Sequence, residues 1–192
     1  MTWLFQREHA PAFCYQPIFT SEECNEIIKY GKSLESFTAA VVNAGETMTN
    51  SNVRSCQVRH ITPDDMKYQW IFHKLQRFIE QSNYEYFNYD LYGIVEALQL
   101  IEYNAPTGKY NVHVDNIKHQ LVRKLSVTVN LSHHNDYEGG ELQLHTSEIP
   151  LVPPKTLGTA IMFPSHSPHS VTTVTCGTRF SLVAWVAGPP LR

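Results

Sequence analysis

The chain has no CxxC pair, and its four cysteines, Cys14, Cys24, Cys56 and Cys176, lie far apart. That spacing excludes a zinc knuckle or a disulfide framework and leads us to expect a reduced, cytoplasmic protein with incidental thiols. Long apolar runs are also missing. The longest, Leu182 to Ala187, falls far short of the ~18 residues that a membrane span needs. Met1 to Phe13 carries Arg7, Glu8 and His9 and lacks the apolar stretch of a secretory signal. Neither sign of charge dominates: 15 Lys and Arg stand against 18 Asp and Glu, giving a net charge of −3. No basic footprint for nucleic acid follows from such a balance, so neither nucleic acid nor membrane is expected as a partner. There are no internal repeats, low-complexity tracts or long linkers, and the expectation is one domain over residues 1–192.

What the sequence does contain is strand-forming material. Hydrophobic residues make up 42% of the chain, with ten Tyr and nine Phe, enough to bury a core without staples. The first third, residues 1–83, reads as a helical support region. Thr20-Ser21-Glu22-Glu23 is a capping box that opens a helix running to about Gly31. Thr62-Pro63-Asp64-Asp65 is a second start signal, after which Met66, Trp70, Leu75, Phe78 and Ile79 recur at helical spacing to about Gln81. From residue 84 to 192 the period changes to two. Short alternating segments are predicted at 92–103, 110–115, 124–132, 141–145, 158–163, 169–174 and 178–186, separated by turn residues. Helices followed by many short strands predict a mainly β protein, a sandwich buttressed on one face by helices.

Chemistry concentrates in His113-Val114-Asp115. Residues two apart on a strand project to the same face, so His113 and Asp115 form a two-pronged claw. A third ligand from another strand would complete a set of two imidazoles and a carboxylate. That set leaves neighbouring coordination positions open, as non-haem Fe(II) oxygenases require. His169, at the mouth of a predicted strand-turn-strand, is the candidate. Arg179 follows on the returning strand. If Thr175-Cys176-Gly177 forms a three-residue hairpin loop, Thr173 lies opposite Arg179, and His169, Val171, Thr173, Arg179, Ser181, Val183 and Trp185 share one face. Arg179 then lies roughly 13 Å along the strand from His169, a gap that a five-carbon diacid chelating a metal would fill. A guanidinium fork suits the far carboxylate of such a ligand.

Other groups are less decided. Ser126, Thr128 and Asn130 alternate with Leu125, Val127 and Val129, and either line a pocket or form a solvated face. Tyr103 could donate a phenolic hydrogen bond to a ligand carboxylate. His166 is the main rival ligand, although it sits between two prolines in an expected loop. His133 and His134 belong to an expected turn, and His9, His60, His73, His119 and His145 have no partner at metal-ligand spacing. Residues 43–58 read as a polar segment that could close over a substrate, and Lys118 to Lys124 as a basic stretch that meets either solvent or an acidic partner.

Several motifs, taken in order, resemble the prolyl 4-hydroxylase family of Fe(II)/2-oxoglutarate-dependent dioxygenases. Phe19 to Cys24 resembles the family's helix opening, and Val53-Arg54-Ser55-Cys56-Gln57-Val58 its early "R-x-S" segment. The run Tyr103 to Asp115, the GGEL turn within Tyr137 to Leu142, and Phe163 through His169, Val171, Arg179 and Trp185 continue the likeness. The resemblance implies a double-stranded β-helix, or distorted jelly roll, with residues 84–192 as its catalytic core. It implies iron held by His113, Asp115 and His169, and the 2-oxoglutarate distal carboxylate held by Arg179. Tyr103, Leu142, Val171 and Trp185 would then line the cofactor pocket. The family's second contact to that carboxylate is often a tyrosine or threonine on the strand that here reads Ser126 to Asn130, where this chain has no tyrosine. Fe(II), 2-oxoglutarate and O2 follow as cofactors, with ascorbate as a further candidate. The activity so implied is hydroxylation of a peptidyl proline, coupled to conversion of 2-oxoglutarate to succinate and CO2. Two alternatives stay open: the same chemistry on another protein side chain or a free amino acid, and a non-catalytic metal-binding jelly roll.

Overall fold

The computed structural model describes residues 11–39, 41–43, 46–48, 50–115 and 122–190. Strand β1 (Cys14–Pro17) precedes helix α1 (Ser21–Lys32), and four short strands follow, β2 (Phe37–Thr38), β3 (Val41–Asn43), β4 (Glu46–Met48) and β5 (Arg54–Ser55). Next come β6 (Gln57–Ile61), α2 (Gln69–Ser82), β7 (Gly93–Ile94), β8 (Leu98–Asn104) and β9 (Lys109–His113). The remainder is β10 (Val122–Asn130), β11 (Tyr137–Gly139), β12 (Leu142–Leu144), β13 (Thr159–Pro164), β14 (His169–Val171) and β15 (Val174–Gly188).

The strands form a large antiparallel sheet of order β1-β13-β10-β15-β8-β6-β2, with β7 and β11 also pairing β15. A smaller sheet has the order β12-β14-β9-β5, and β3 and β4 pair separately. Alternation along the strands explains the layering. Leu125, Val127 and Val129 of β10 and Leu182, Ala184 and Val186 of β15 turn outward, where they meet Ile27 of α1 and Ile71, Leu75, Phe78 and Ile79 of α2. The opposite face of the large sheet looks toward the smaller one. There, Ile101 and Tyr103 pack with Val171, and Ile161 and Phe163 pack with Leu142 and Leu144. The result is a helix-backed jelly roll whose two sheets share an interior.

Helix α1 begins as its sequence predicts. Thr20 Oγ1 accepts from the Glu23 N–H and the Glu23 carboxylate accepts from the Thr20 N–H, satisfying two otherwise orphaned donors. The second helix starts later than the Pro63 signal predicts. Asp65 caps a 3-10 turn over Met66–Tyr68 by accepting from the Lys67 N–H, and the α-helix begins only at Gln69. The first third also supplies strands that the helical reading omits, because β1 pairs β13 and β6 pairs β8. Among the described residues no helix is long and apolar enough to cross a membrane.

One expected turn does not form. The hairpin placed at Thr175-Cys176-Gly177 is instead the start of the continuous strand β15. Its backbone groups there are taken by β11, with Tyr137 opposite Gly177 and Gly139 opposite Val174, so the chain has no reason to fold back. His169 therefore belongs to the small sheet and Arg179 to the large one, and the two approach across the sandwich.

Candidate active site

Strand pairing assembles the first three residues. His169 of β14 lies directly opposite His113 of β9, with ring centroids 4.1 Å apart. Asp115 follows the end of β9, where its N–H donates to the Ser165 carbonyl at 2.9 Å. The Asp115 carboxylate meets both rings, at 3.5 Å from His113 Nε2 and 3.4 Å from His169 Nε2. One ligand atom from each of the three residues lies within 4.8 Å of the others, and this is the group among the described residues that could hold a metal ion.

Their surroundings prepare these atoms for a cation. Nδ1 of His113 is 2.8 Å from the Asn111 carbonyl, and Nδ1 of His169 is 3.0 Å from the Ser167 carbonyl. A carbonyl only accepts, so each Nδ1 carries the proton and each Nε2 lone pair faces the Asp115 carboxylate. Burial pushes the His169 imidazole below its ordinary value, outweighing the attraction of Asp115, which favours the neutral ligand form. Burial works to raise the Asp115 carboxyl, but the adjoining His113 and His169 side chains hold it well below the usual carboxylate range. Ser126 Oγ donates to Asp115 Oδ2 at 2.7 Å and lies 2.9 Å from Ser165 Oγ, fixing the carboxylate's orientation. Two neutral imidazoles and one ionised carboxylate suit Fe(II) by donor type.

The inward row of β10 measures the distance to Arg179. Ser126 touches Asp115 at one end, and at the other Asn130 Oδ1 accepts from Arg179 Nη2 at 3.3 Å. Four residues separate them, roughly 13 Å of strand. The Ser126, Thr128 and Asn130 side chains are buried, so the solvated-face alternative falls away. Arg179 is itself only 2% exposed and lies directly opposite Tyr103, whose ring it covers at 5.5 Å. Its other hydrogen bond, to Ser181 Oγ, is a long 3.4 Å. No salt bridge to Arg179 occurs among the described residues, so a buried cation stands without an acid.

The remaining predicted residues lie on the neighbouring strands. Leu142 pairs with Val171 across β12 and β14, and Trp185 pairs with Ser126 across β15 and β10. Burial pushes the Tyr103 phenol above its ordinary range, keeping it a proton donor. His166 is exposed, and His133 stacks on His134 away from the cluster. Lys118 to Leu121, His9 and His119 lie outside the described residues, as do positions 44, 45 and 49 of the 43–58 segment.

Tyr110, Arg54, Ser165 and Arg123 also shape the site, although motif and spacing give none of them a role there. Tyr110 stacks on His113 with centroids 3.5 Å apart, and the Arg54 guanidinium lies over Tyr110 at 4.6 Å. Arg123 covers the Trp185 ring at 3.8 Å while pairing with Glu96. Tyr110 escapes the parity rule for a physical reason. An odd number of positions separates it from His113, which on a regular strand would send the two rings to opposite faces. The pairing of β14 with β9 shifts register between His169 and Val171, and no local pattern signals such an irregularity.

The jelly roll thus sets a three-residue cluster that could hold a metal ion in the same interior as a buried arginine with no acid partner among the described residues. Residues 98–187 match the family model of the 2OG-Fe(II) oxygenase superfamily. The match covers just under half of the chain and marks that segment as similar to the 2OG-Fe(II) oxygenases. A PKHD-type hydroxylase of Synechococcus sp. (strain JA-2-3B'a(2-13)) is 38% identical over 82 residues, covering 40% of this chain and 37% of the relative. One from Psychrobacter sp. (strain PRwf-1) is 40% identical over 84 residues, covering 40% and 32%. The matched part of the chain thus spans about a third of the length of these relatives. Among solved structures, a prolyl hydroxylase from Trichoplax adhaerens in complex with a hypoxia inducible factor oxygen degradation domain peptide fragment superposes with a TM-score of 0.77. It is 17% identical, over 92% of this chain and 84% of that one. A Pseudomonas putida prolyl-4-hydroxylase gives a TM-score of 0.68 at 17% identity, over 93% and 94%.

Proposed function

We propose that this chain is an Fe(II)- and 2-oxoglutarate-dependent hydroxylase that acts on a peptidyl proline and converts 2-oxoglutarate to succinate and CO2. The observation that supports it is the pairing of the His113, Asp115 and His169 cluster with a buried Arg179 that lacks a carboxylate partner among the described residues. His113 and His169 would hold the iron through Nε2 and Asp115 through its carboxylate. Arg179 would receive the far carboxylate of 2-oxoglutarate, with Tyr103, Leu142, Val171 and Trp185 enclosing the rest. Bound iron supplies the centre at which keto acid and dioxygen react. The protein's own part is to place these groups and exclude water: Ser126 and Ser165 orient Asp115, and the Asn111 and Ser167 carbonyls orient the two imidazoles. A carboxylate in the third ligand position leaves no room for a halide ligand and so favours hydroxylation over halogenation.

A peptide is preferred to a free amino acid because the Trichoplax adhaerens neighbour is a prolyl hydroxylase in complex with a peptide. Ascorbate is proposed as an accessory reductant on the strength of the family resemblance alone. The test is anaerobic addition of Fe(II) and 2-oxoglutarate, read as a metal-to-ligand charge-transfer band. Oxygen is then admitted and succinate measured. The absence of both band and succinate would refute the enzyme reading. An added oxygen on proline-bearing peptides, read by mass spectrometry, separates prolyl hydroxylation from oxidation of other side chains.

A further inference from the structure

Resting on the reading that Arg179 receives the distal carboxylate of 2-oxoglutarate, we propose that Tyr137 supplies the neutral hydrogen bond to that same carboxylate. Tyr137 lies opposite Gly177 on β15, two residues before Arg179, so the two side chains leave neighbouring positions on the same face. Gly140 shows how closely they approach. At φ +58°, a Cβ on Gly140 would lie 2.9 Å from Arg179 Cδ and 3.3 Å from Tyr137 Cε2, so both side chains flank the space that this glycine leaves free.

Tyr137 is 4% exposed, and its hydroxyl is wholly buried with no hydrogen-bond partner among the described residues. Buried phenols in native proteins are almost always partnered, so an orphaned one beside an acid-free arginine indicates that a ligand completes both. The chemistry matches. A carboxylate offers two oxygens with about four acceptor sites, of which a guanidinium fork occupies only some. A phenol O–H can fill another.

Rival donors are less well placed. Asn130 is engaged at both ends, since Nδ2 donates to the Pro154 carbonyl and Oδ1 accepts from Arg179. Thr159, whose Oγ1 is also buried and unpartnered, sits on β13, separated from β15 by β10. Thr128 faces Val183, farther toward the metal end of the pocket. Tyr137 and Asn130 both flank Arg179 on strands paired with β15, opposite Gly177 and Ser181, and of these two only Tyr137 has a buried polar atom without a partner among the described residues.

The test compares 2-oxoglutarate with pyruvate, which keeps the chelating keto-acid end but has no distal carboxylate. Binding of each to the anaerobic Mn(II)-loaded protein is measured by calorimetry for wild type, Tyr137→Phe, Thr128→Val and Arg179→Met. In Tyr137→Phe we expect affinity for 2-oxoglutarate to fall roughly tenfold or more. Pyruvate and Mn(II) affinities should stay unchanged, and the ligand-free protein should melt no lower than wild type, because the lost hydroxyl had no partner. Unchanged 2-oxoglutarate affinity, an equal loss for pyruvate, or a loss carried by Thr128→Val instead would overturn the assignment. Wild type that binds 2-oxoglutarate no better than pyruvate would overturn the underlying reading of Arg179. A loss in Arg179→Met without one in Tyr137→Phe would overturn only the role of Tyr137.

Discussion

Arg179→Met tests the central inference most directly, because it removes a charge while roughly preserving bulk. In the ligand-free protein the guanidinium is 2% exposed and, besides its contact with the Tyr103 ring, has two long hydrogen bonds to neutral groups among the described residues, so it bears a desolvation cost that no described acid offsets. The variant should therefore melt at or above the wild-type temperature without ligand. With ligand the order reverses. Leaving a buried carboxylate without its charged partner costs about 2–5 kcal/mol, which is a loss of affinity of roughly 30-fold or more. At 2-oxoglutarate a hundred times its wild-type Kd, binding stabilises the native state by about 2.7 kcal/mol. For a chain of this size that corresponds to a rise of roughly 5–11 °C. A Kd weaker by roughly 30-fold leaves the variant about 0.9 kcal/mol, a rise of about 2–3 °C. Differential scanning fluorimetry with Mn(II), with and without 2-oxoglutarate, reads both quantities. A variant that keeps the full ligand-induced shift, or that loses Mn(II) along with 2-oxoglutarate, would refute the placement of Arg179 at the far end of the pocket.

Three other outcomes follow from the same geometry. Ser126→Ala removes the 2.7 Å hydrogen bond to Asp115 Oδ2 and should weaken Mn(II) binding about 10- to 100-fold while leaving the fold intact, as read by metal titration and circular dichroism. Gly140→Ala forces a side chain into the left-handed region and against Arg179 Cδ and Val174 Cγ2, each 2.9 Å away. It should cost about 1–3 kcal/mol of stability and lower 2-oxoglutarate affinity more than metal affinity, and a neutral result in both assays would contradict the close packing at the GGEL turn. Thr20→Ala breaks the capping box of α1 and should lower stability by about 1 kcal/mol, seen as a small fall in melting temperature with unchanged ligand binding.

Local rules make several features legible in the chain alone. Period-two alternation groups His113 with Asp115, although β9 itself ends at His113, and the same parity groups Arg179, Ser181, Val183 and Trp185 along β15. The capping box at Thr20 marks the true start of α1. Where local signals fail, a distant partner has intervened. Thr175-Cys176-Gly177 has the composition of a turn, yet β11 arrives from far earlier in the chain and holds those residues extended. Gln57–Ile61 also alternates, but its identity as a strand depends on pairing with Leu98–Asn104.

The sequence by itself singled out the candidate ligands, because residue type, spacing and strand parity are local properties. Two imidazoles, a carboxylate and an arginine are identifiable as such without knowing where the chain goes. Only the tertiary structure decided that His169 meets His113 across paired strands of one sheet while Arg179 looks across from the other. Among the described residues, it alone left the Arg179 guanidinium buried without an acid and the Tyr137 hydroxyl buried without a hydrogen-bond partner. Those facts depend on long-range strand pairing and on desolvation, and burial of a polar group is a property of everything packed around it rather than of its neighbours along the chain.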